Sequence, residues 1–325
     1  KDLEWSEFLG PIDYKRRYHT SIWTGNEIIF HGGAIGDQAN PNIDVATRNG
    51  MKYSPNSNTW TPINSGSTSP INRYNHFSHW TGEKMIVWGG YLNSTTQLTD
   101  GGIYDPQSDS WTGIPATSIN DIWGCTTVFT GQELIVWGEN PQKYNPINNQ
   151  WTIIAPNNTL SPYGSFNVWT GTEMLVWGGG ILGSGTVNAG GKYNPLSNSW
   201  QAISINNGPI AAMRGGILTH GDAVWADGKM YIFGGRIEPF STITYSNQFF
   251  SYDPANDTWQ DLTNPDIQVP ENLAKLFWTG KEIVLLSYAT DHDQAFIFNP
   301  KSKSWQNITT SVFDNTQNNI ADFGG

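Results

Sequence analysis

Short apolar runs recur along the whole chain, each closed off by Thr-Gly or by a glycine pair, and this punctuation predicts many short β-strands joined by tight turns. One unit is repeated: WTGNEIIFHGG starts at Trp23, WTGEKMIVWGG at Trp80, FTGQELIVWGE at Phe129, WTGTEMLVWGG at Trp169 and WTGKEIVLLSY at Trp278, with a degenerate ADGKMYIFGG over 226–235. A second motif follows each copy: YSPNSNTW ending at Trp60, YDPQSDSW at Trp111, YNPINNQW at Trp151, YNPLSNSW at Trp200, YDPANDTW at Trp259 and FNPKSKSW at Trp305. The starts fall 40 to 57 residues apart, a period that suits supersecondary units stacked side by side.

The unit reads as four strands. An apolar stretch before Thr-Gly is the first, and the glycine supplies the positive φ of a tight hairpin. The second, as in Glu83 to Trp88, is apolar on both faces, as expected of a strand covered on both sides. Gly89-Gly90 ends it with a sharp departure that a Cβ would obstruct. The third closes on Tyr104, Asp105-Pro106 starts a turn through side-chain capping and a fixed φ, and the fourth begins at Trp111. A buried Trp removes about 150–250 Å² from water, which is at most about 4–6 kcal/mol. One such residue per unit can hold unit to unit.

The glycine doublet, the Tyr-x-Pro and the downstream Trp resemble the kelch repeat, and together they cover nearly the whole chain. The resemblance implies an all-β fold, a β-propeller of six four-stranded blades near 17–63, 73–114, 123–154, 163–203, 214–262 and 272–308, with a tail over 309–325. Some copies depart from the pattern. Blade three has Glu139 where the second Gly belongs, blade six shows Leu286-Ser287 in place of the doublet, and blade five carries a long lead-in from Asn206 to His220. Trp5 lies 18 residues before Trp23, matching the spacing from Trp151 to Trp169. Residues 3–8 therefore read as an extra fourth strand, either closing the ring in place of Trp305's strand or belonging to a seventh blade of a longer parent. Six blades is the preferred reading.

Composition narrows the chemistry. Among 325 residues only 14% are charged, the net charge is −11, and there are just 17 Lys and Arg. No basic run could neutralise a row of phosphates, so nucleic acid is excluded as a partner. Cys125 is the single cysteine, read as a small buried hydrophobe, and stability must come from packing alone. No apolar run approaches the ~20 residues of a membrane span. Sparse Lys, abundant Asn and the acidic balance point to a secreted, periplasmic or cell-surface protein whose signal peptide is absent from this sequence, acting as a monomer.

Function concentrates on loops, and in a kelch-like blade the segment leading into strand one emerges on the same face as the loop after the doublet. That face carries Arg16, Arg17, Tyr18 and His19 in blade one, Arg73, Tyr74 and His76 in blade two, Trp123 in blade three, Tyr163 in blade four, Arg214 in blade five and Lys275 in blade six. Loops after strand two add His31, Asp37, Tyr91, Glu139, Arg236, Glu238, Asp291, His292 and Asp293. The ligand-binding set expected from this is Arg17, Tyr18, Arg73, Tyr74, Trp123, Tyr163, Arg214, Arg236 and Glu139. It forms a funnel of arginines with aromatic walls that suits a glycan or a peptide with a carboxylate or sulfate. The competing expectation is that the arginines pair with carboxylates of the inner rim and merely seal the channel.

His19 and His76 each stand six residues before the hairpin glycine, with His31 nearby. Imidazoles on one rim can take zinc or copper, but more often they satisfy backbone groups, and neither a metal nor any other cofactor is expected. Asp291-His292-Asp293 lacks the spaced acids and Gly of a calcium loop. Galactose oxidases are kelch-like copper enzymes built on a Tyr–Cys cross-link, and no flanking motif of theirs surrounds Cys125. Sialic acid mutarotases are kelch-like too, and an isomerase of that kind would use Glu139 or Glu238 as its acid–base. Three functions follow in order: a glycan- or peptide-binding module, an isomerase of an anionic sugar, and a structural module of a larger surface protein. The substrate adaptors of ubiquitin ligases share the repeat type, but the helical domains they carry have no counterpart in this sequence.

Overall fold

The computed structural model describes residues 16–36, 44–119, 122, 124–181, 185–210, 221–237, 244–267, 273–288 and 294–309. Among them are six four-stranded antiparallel sheets, each a meander of its own four strands, with a short separate ribbon between strands two and three in blades one, four and five. Blade two is typical, with strands Phe77–Trp80, Met85–Trp88, Gly101–Asp105 and Ser110–Ile114. The first strands of successive blades lie beside one another from blade one to blade six, which makes them the inner wall of a propeller.

The core lies between blades. Second strands are buried along their whole length in Met85–Trp88, Leu134–Trp137 and Met174–Trp177, because each is sandwiched by neighbouring sheets. Five apolar layers result, one at each junction from blades one–two to blades five–six. In four of the five layers the fourth-strand Trp adds a hydrogen bond to its buried area. The indole of Trp111 donates to Asn64 O at 2.7 Å, Trp151 to Pro115 O at 2.8 Å, Trp200 to Ala155 O at 2.8 Å and Trp259 to Ser204 O at 2.7 Å, each acceptor belonging to the preceding blade.

The turn between strands three and four carries its own signature. Tyr104 donates to Asp109 at 2.6 Å and Tyr252 to Asp257 at 2.6 Å; Tyr53, Tyr144 and Tyr193 bond Asn58, Asn149 and Asn198 in the same way. These Asn and Asp residues have φ between 48° and 57°, where a short polar side chain is tolerated best. Blade six has Phe298 for the Tyr and Lys303, at φ 55°, for the Asn. A lysine gains nothing there to offset the left-handed backbone. Lys303→Asn should therefore raise stability by about 0.5–1 kcal/mol, read as a shift in denaturant midpoint; an unchanged or lowered midpoint would contradict this account of the turn.

Register refines two expectations. In blade six Trp278 pairs Ile283 and Ala274 pairs Ser287, the counterparts of Trp23 with Ile28 in blade one. Ser287 and Tyr288 therefore occupy the doublet position, one residue beyond Leu286-Ser287. The fourth strand of blade six is Ser304–Asn307, with Trp305 opposite Phe298, so Trp305 keeps its place in its own blade. Residues 3–8 and the tail beyond 309 lie outside the described residues.

Candidate functional site at the mouth of the propeller

In each blade the chain arrives at and leaves the inner strands at the same end. Arg17 pairs with Ala34, Tyr74 with Tyr91 and Tyr163 with Gly180, in every case the residue just past the doublet position. The second glycine of the doublet makes this crossing possible. A Cβ on Gly90 would lie 2.6 Å from Tyr74 O and 2.8 Å from His76 Cβ, and Gly90 has φ 90°. The lead-ins also bond blade to blade: Asn75 N donates to Tyr18 O at 2.9 Å, and Gly164 N to Gly124 O at 2.9 Å. The converging loops inferred from the repeat are thus present for the described lead-ins of blades one to four.

Counting back from the hairpin glycines Gly25, Gly82, Gly131 and Gly171 aligns these lead-ins. Eight residues before them stand Arg17, Tyr74, Trp123 and Tyr163, so four of the expected ligand residues share one position of the repeat. Nine residues before stand Arg16 and Arg73. The structure confirms this pairing. Arg73, with 0% of its side chain exposed, donates from Nη1 to Gly89 O at 2.8 Å and Asp100 O at 2.9 Å, from Nη2 to Asp100 Oδ1 at 2.9 Å, and from Nε to Ile71 O at 3.2 Å. Arg16 repeats the pattern in blade one, with Nη1 donating to Asn49 O at 2.9 Å and Gly32 O at 3.3 Å.

Arg16 and Arg73 are therefore fasteners between the end of strand two and the start of strand three. Arg73 belongs with the sealing role, its guanidinium buried and bonded within its own blade. Arg17, half-buried, lies with its guanidinium carbon 5.5 Å from the Tyr18 ring centroid. From there the rings continue: Tyr18 to Tyr74 at 6.0 Å, tilted, and Tyr74 to Tyr91 at 6.0 Å, stacked. Tyr91, not in the expected ligand set, is thus part of the same row.

Tyr18 is held at φ 60°, where the equivalent residues are Asn75 at 52° and Gly164 at 60°. A bulky aromatic side chain in the left-handed region is a strained choice.

Further round the mouth, the Tyr163 hydroxyl donates to Glu139 Oε2 at 3.2 Å, with Glu139 exposed. Arg236 sits half-buried in a two-stranded ribbon opposite Tyr245, at the position just after the doublet of blade five. Lys275 lies within the first strand of blade six, opposite Leu286, and so is part of the inner wall. Trp123, Arg214, Asp37, Glu238, Asp291, His292 and Asp293 lie outside the described residues.

Beneath the Arg17–Tyr18–Tyr74 row lie three buried histidines. His76 Nε2 is 2.8 Å from Thr20 Oγ1 and 3.5 Å from His31 Nδ1, and the His31 and His76 rings meet edge to face at 5.3 Å. His31 occupies the strand-two position held by Trp88, Trp137 and Trp177 elsewhere, and like them it packs on the next blade's fourth-strand Trp, 4.9 Å from Trp111. Burial, with Arg16 adding to it, depresses His19 to about 4. Burial, then Arg73 and Arg16, depresses His31 to about 3; His76 is lowered by burial, His31, Arg73 and His19. Among the described residues no group of three His, Cys, Asp or Glu is arranged to hold a metal ion. Nor is any helix among them long and apolar enough to cross a membrane.

No curated protein matches the chain. Among solved structures, one described as "Structure of YjhT" aligns over 93% of this chain and 100% of its own, with a TM-score of 0.63 and 13% sequence identity, a likeness of fold alone. The family model described as the Attractin/LZTR1 beta-propeller matches residues 43–279. With this model spanning most of the repeats, the chain belongs to the Attractin/LZTR1 β-propeller family.

Proposed function

We propose that this protein is a monomeric binding module that works outside the cytoplasm and takes a glycan or an extended peptide at the mouth of blades one to four. The observation that carries the proposal is Tyr18. The chain keeps a strained aromatic ring at a position where blades two and four place Asn and Gly, and beside that ring stand Tyr74 and the Arg17 guanidinium. Backbone strain of this kind, costing about 1–3 kcal/mol, clusters at ligand-binding sites. A tilted row of tyrosines offers apolar faces for the C–H side of a pyranose or for peptide side chains, and hydroxyl edges for hydrogen bonds. Arg73 is committed to the fold, whereas the Arg17 guanidinium lies beside the Tyr18 ring, where it could meet an acidic group of the ligand.

A glycan array and a peptide library screened with the intact protein test this. Tyr18→Asn, which keeps a residue suited to the backbone, should hold stability within about 1 kcal/mol and reduce binding at least tenfold. Arg17→Ala should weaken carboxylated ligands selectively. Binding that is indifferent to Tyr18→Asn would refute the proposal.

A second reading, isomerisation of an anionic sugar, draws on the exposed Glu139–Tyr163 pair, a carboxylate beside a phenol that could exchange a proton. Anomer interconversion followed by NMR, with Glu139→Gln as control, separates it from binding without turnover.

A further inference from the structure

The three histidines beneath the platform have no part in the proposed binding, and their surroundings are unusual. His19, His31 and His76 are each at most 8% exposed. Each also keeps one ring nitrogen (His19 Nδ1, His31 Nε2, His76 Nδ1) buried with no hydrogen-bond partner among the described residues.

The charged groups facing them are Arg16 from the lead-in of blade one, Arg73 from that of blade two, and Asp100, whose carboxylate is already bonded to Arg73. Strand one of blade one contributes only the hydroxyl of Thr20, and strand four of blade two only the ring of Trp111. Among the described residues, a proton added to any of the three rings would therefore sit in an apolar layer beside two guanidiniums with no spare carboxylate.

The layer leaves little room to yield. His76 Cε1 lies 2.6 Å from where a Cβ of Gly32 would be, and His19 Cβ lies 2.8 Å from where one of Gly33 would be. The same glycines are tied to the lead-ins, with Gly33 N donating to Arg73 O at 2.8 Å. A charged imidazole can reach water only if the lead-ins of blades one and two move away from the doublets, and those lead-ins carry Arg17, Tyr18 and Tyr74.

We propose that the His19–His31–His76 cluster is an acid-operated latch on the mouth: neutral, it holds the lead-ins of blades one and two in place, and protonated, it releases them and dismantles the Tyr18–Tyr74 platform. This rests on the binding reading only in giving the platform a purpose, since the movement itself can be observed without a ligand.

Hydrogen exchange by mass spectrometry on the whole chain, at pH 7.5 and 5.5 and corrected for intrinsic exchange rates, provides the test. The latch predicts that amides over 16–34 and 71–91 exchange about tenfold faster at pH 5.5, the factor for one histidine with an ordinary pKa in the opened state. Amides over 124–137 and 166–177 should be unchanged. In the His19→Ser/His31→Phe/His76→Ser triple variant, built from side chains that blades four and five carry at these positions, the pH effect should vanish. Equal acceleration in all blades, or the same local response in the variant, would overturn the proposal. Should the variant fail to fold, histidine side-chain NMR of the unaltered protein decides: cluster rings that protonate near pH 6.5 with the lead-ins still protected would refute it, and rings that stay neutral until the lead-ins open would support it. A negative glycan screen with a positive exchange result would remove the binding reading and leave the latch.

Discussion

Arg73→Ala is expected to destabilise the protein by about 3–5 kcal/mol, while Arg17→Ala costs about 1 kcal/mol or less. The first figure follows from what the guanidinium does. It supplies three carbonyl oxygens and one carboxylate with hydrogen bonds from a site with 0% exposure. Its removal leaves three carbonyl oxygens without their donor in a buried site, at about 1–3 kcal/mol for each acceptor left unsatisfied, while Asp100, 42% exposed, is solvated by water and adds little. Arg17 is half-buried over a tyrosine ring, where a cation contributes a few tenths to about 1 kcal/mol. Arg16→Ala should fall between, since its described hydrogen bonds are two to backbone carbonyls. Urea unfolding of the three variants measures this directly. A midpoint for Arg73→Ala within experimental error of the parent would mean that the guanidinium is not the fastener described.

Acidification should have an effect of similar size. His19 and His31 are depressed to about 4 and about 3 by burial and by the arginines beside them, against an unfolded value of about 6.5. Between those limits the unfolded chain holds protons that the folded chain refuses, so stability is full above pH 7 and falls as the pH drops from 6.5 toward 4. At pH 4.5 the loss is about 2.7 kcal/mol for each such histidine, at 1.36 kcal/mol per pH unit, with the two coupled so that the sum is an upper bound. Against a total stability of about 5–15 kcal/mol, that places acid unfolding within reach at pH 4–5. Urea midpoints at steps between pH 8 and 4.5 should trace this fall. Asp109, lowered first by the Tyr104 hydroxyl, and Asp257, lowered first by the Ser204 amide, lose their contribution only at lower pH. A profile flat from pH 7 to 4.5 would show that the histidines bind protons without opening the fold. His31→Phe should flatten the upper part of the curve.

Much of the architecture could be read from the sequence because the repeat marks its own register. Thr-Gly, the doublet and the Trp fix where each strand begins and ends, and six copies leave little freedom. The mouth was legible in part. Tyr74, Trp123 and Tyr163 were placed in the lead-ins of blades two, three and four, and the structure gives Tyr74 and Tyr163 the same pairing just past the doublet.

Arg16 and Arg17 were harder to tell apart. Side chains alternate along an extended segment, so adjacent residues face different surroundings, and a one-residue offset separates a fastener in the blade from a cation on a tyrosine ring. The same count that aligned His19 with His76 would have aligned Arg16 with Arg73. Tyr18 was in the expected set, but its left-handed backbone was not legible, because a tyrosine, unlike Asn75 or Gly164 at the same position, does not announce a positive φ. His31 is the opposite case, a visible histidine at a tryptophan position, whose proximity to His76 depends on two blades packing together.

The six hairpin tips that close strands one and two point away from the mouth, and a Cβ at Gly25, Gly82, Gly131, Gly171, Gly228 or Gly280 would meet nothing within 4 Å. Foreign loops are best accepted at exposed turns of this kind. A biotin tag or a fluorophore tether spliced into any of them would hang below the ring, so a molecule anchored to a sensor chip through its floor presents an unobstructed mouth to the solution flowing over it.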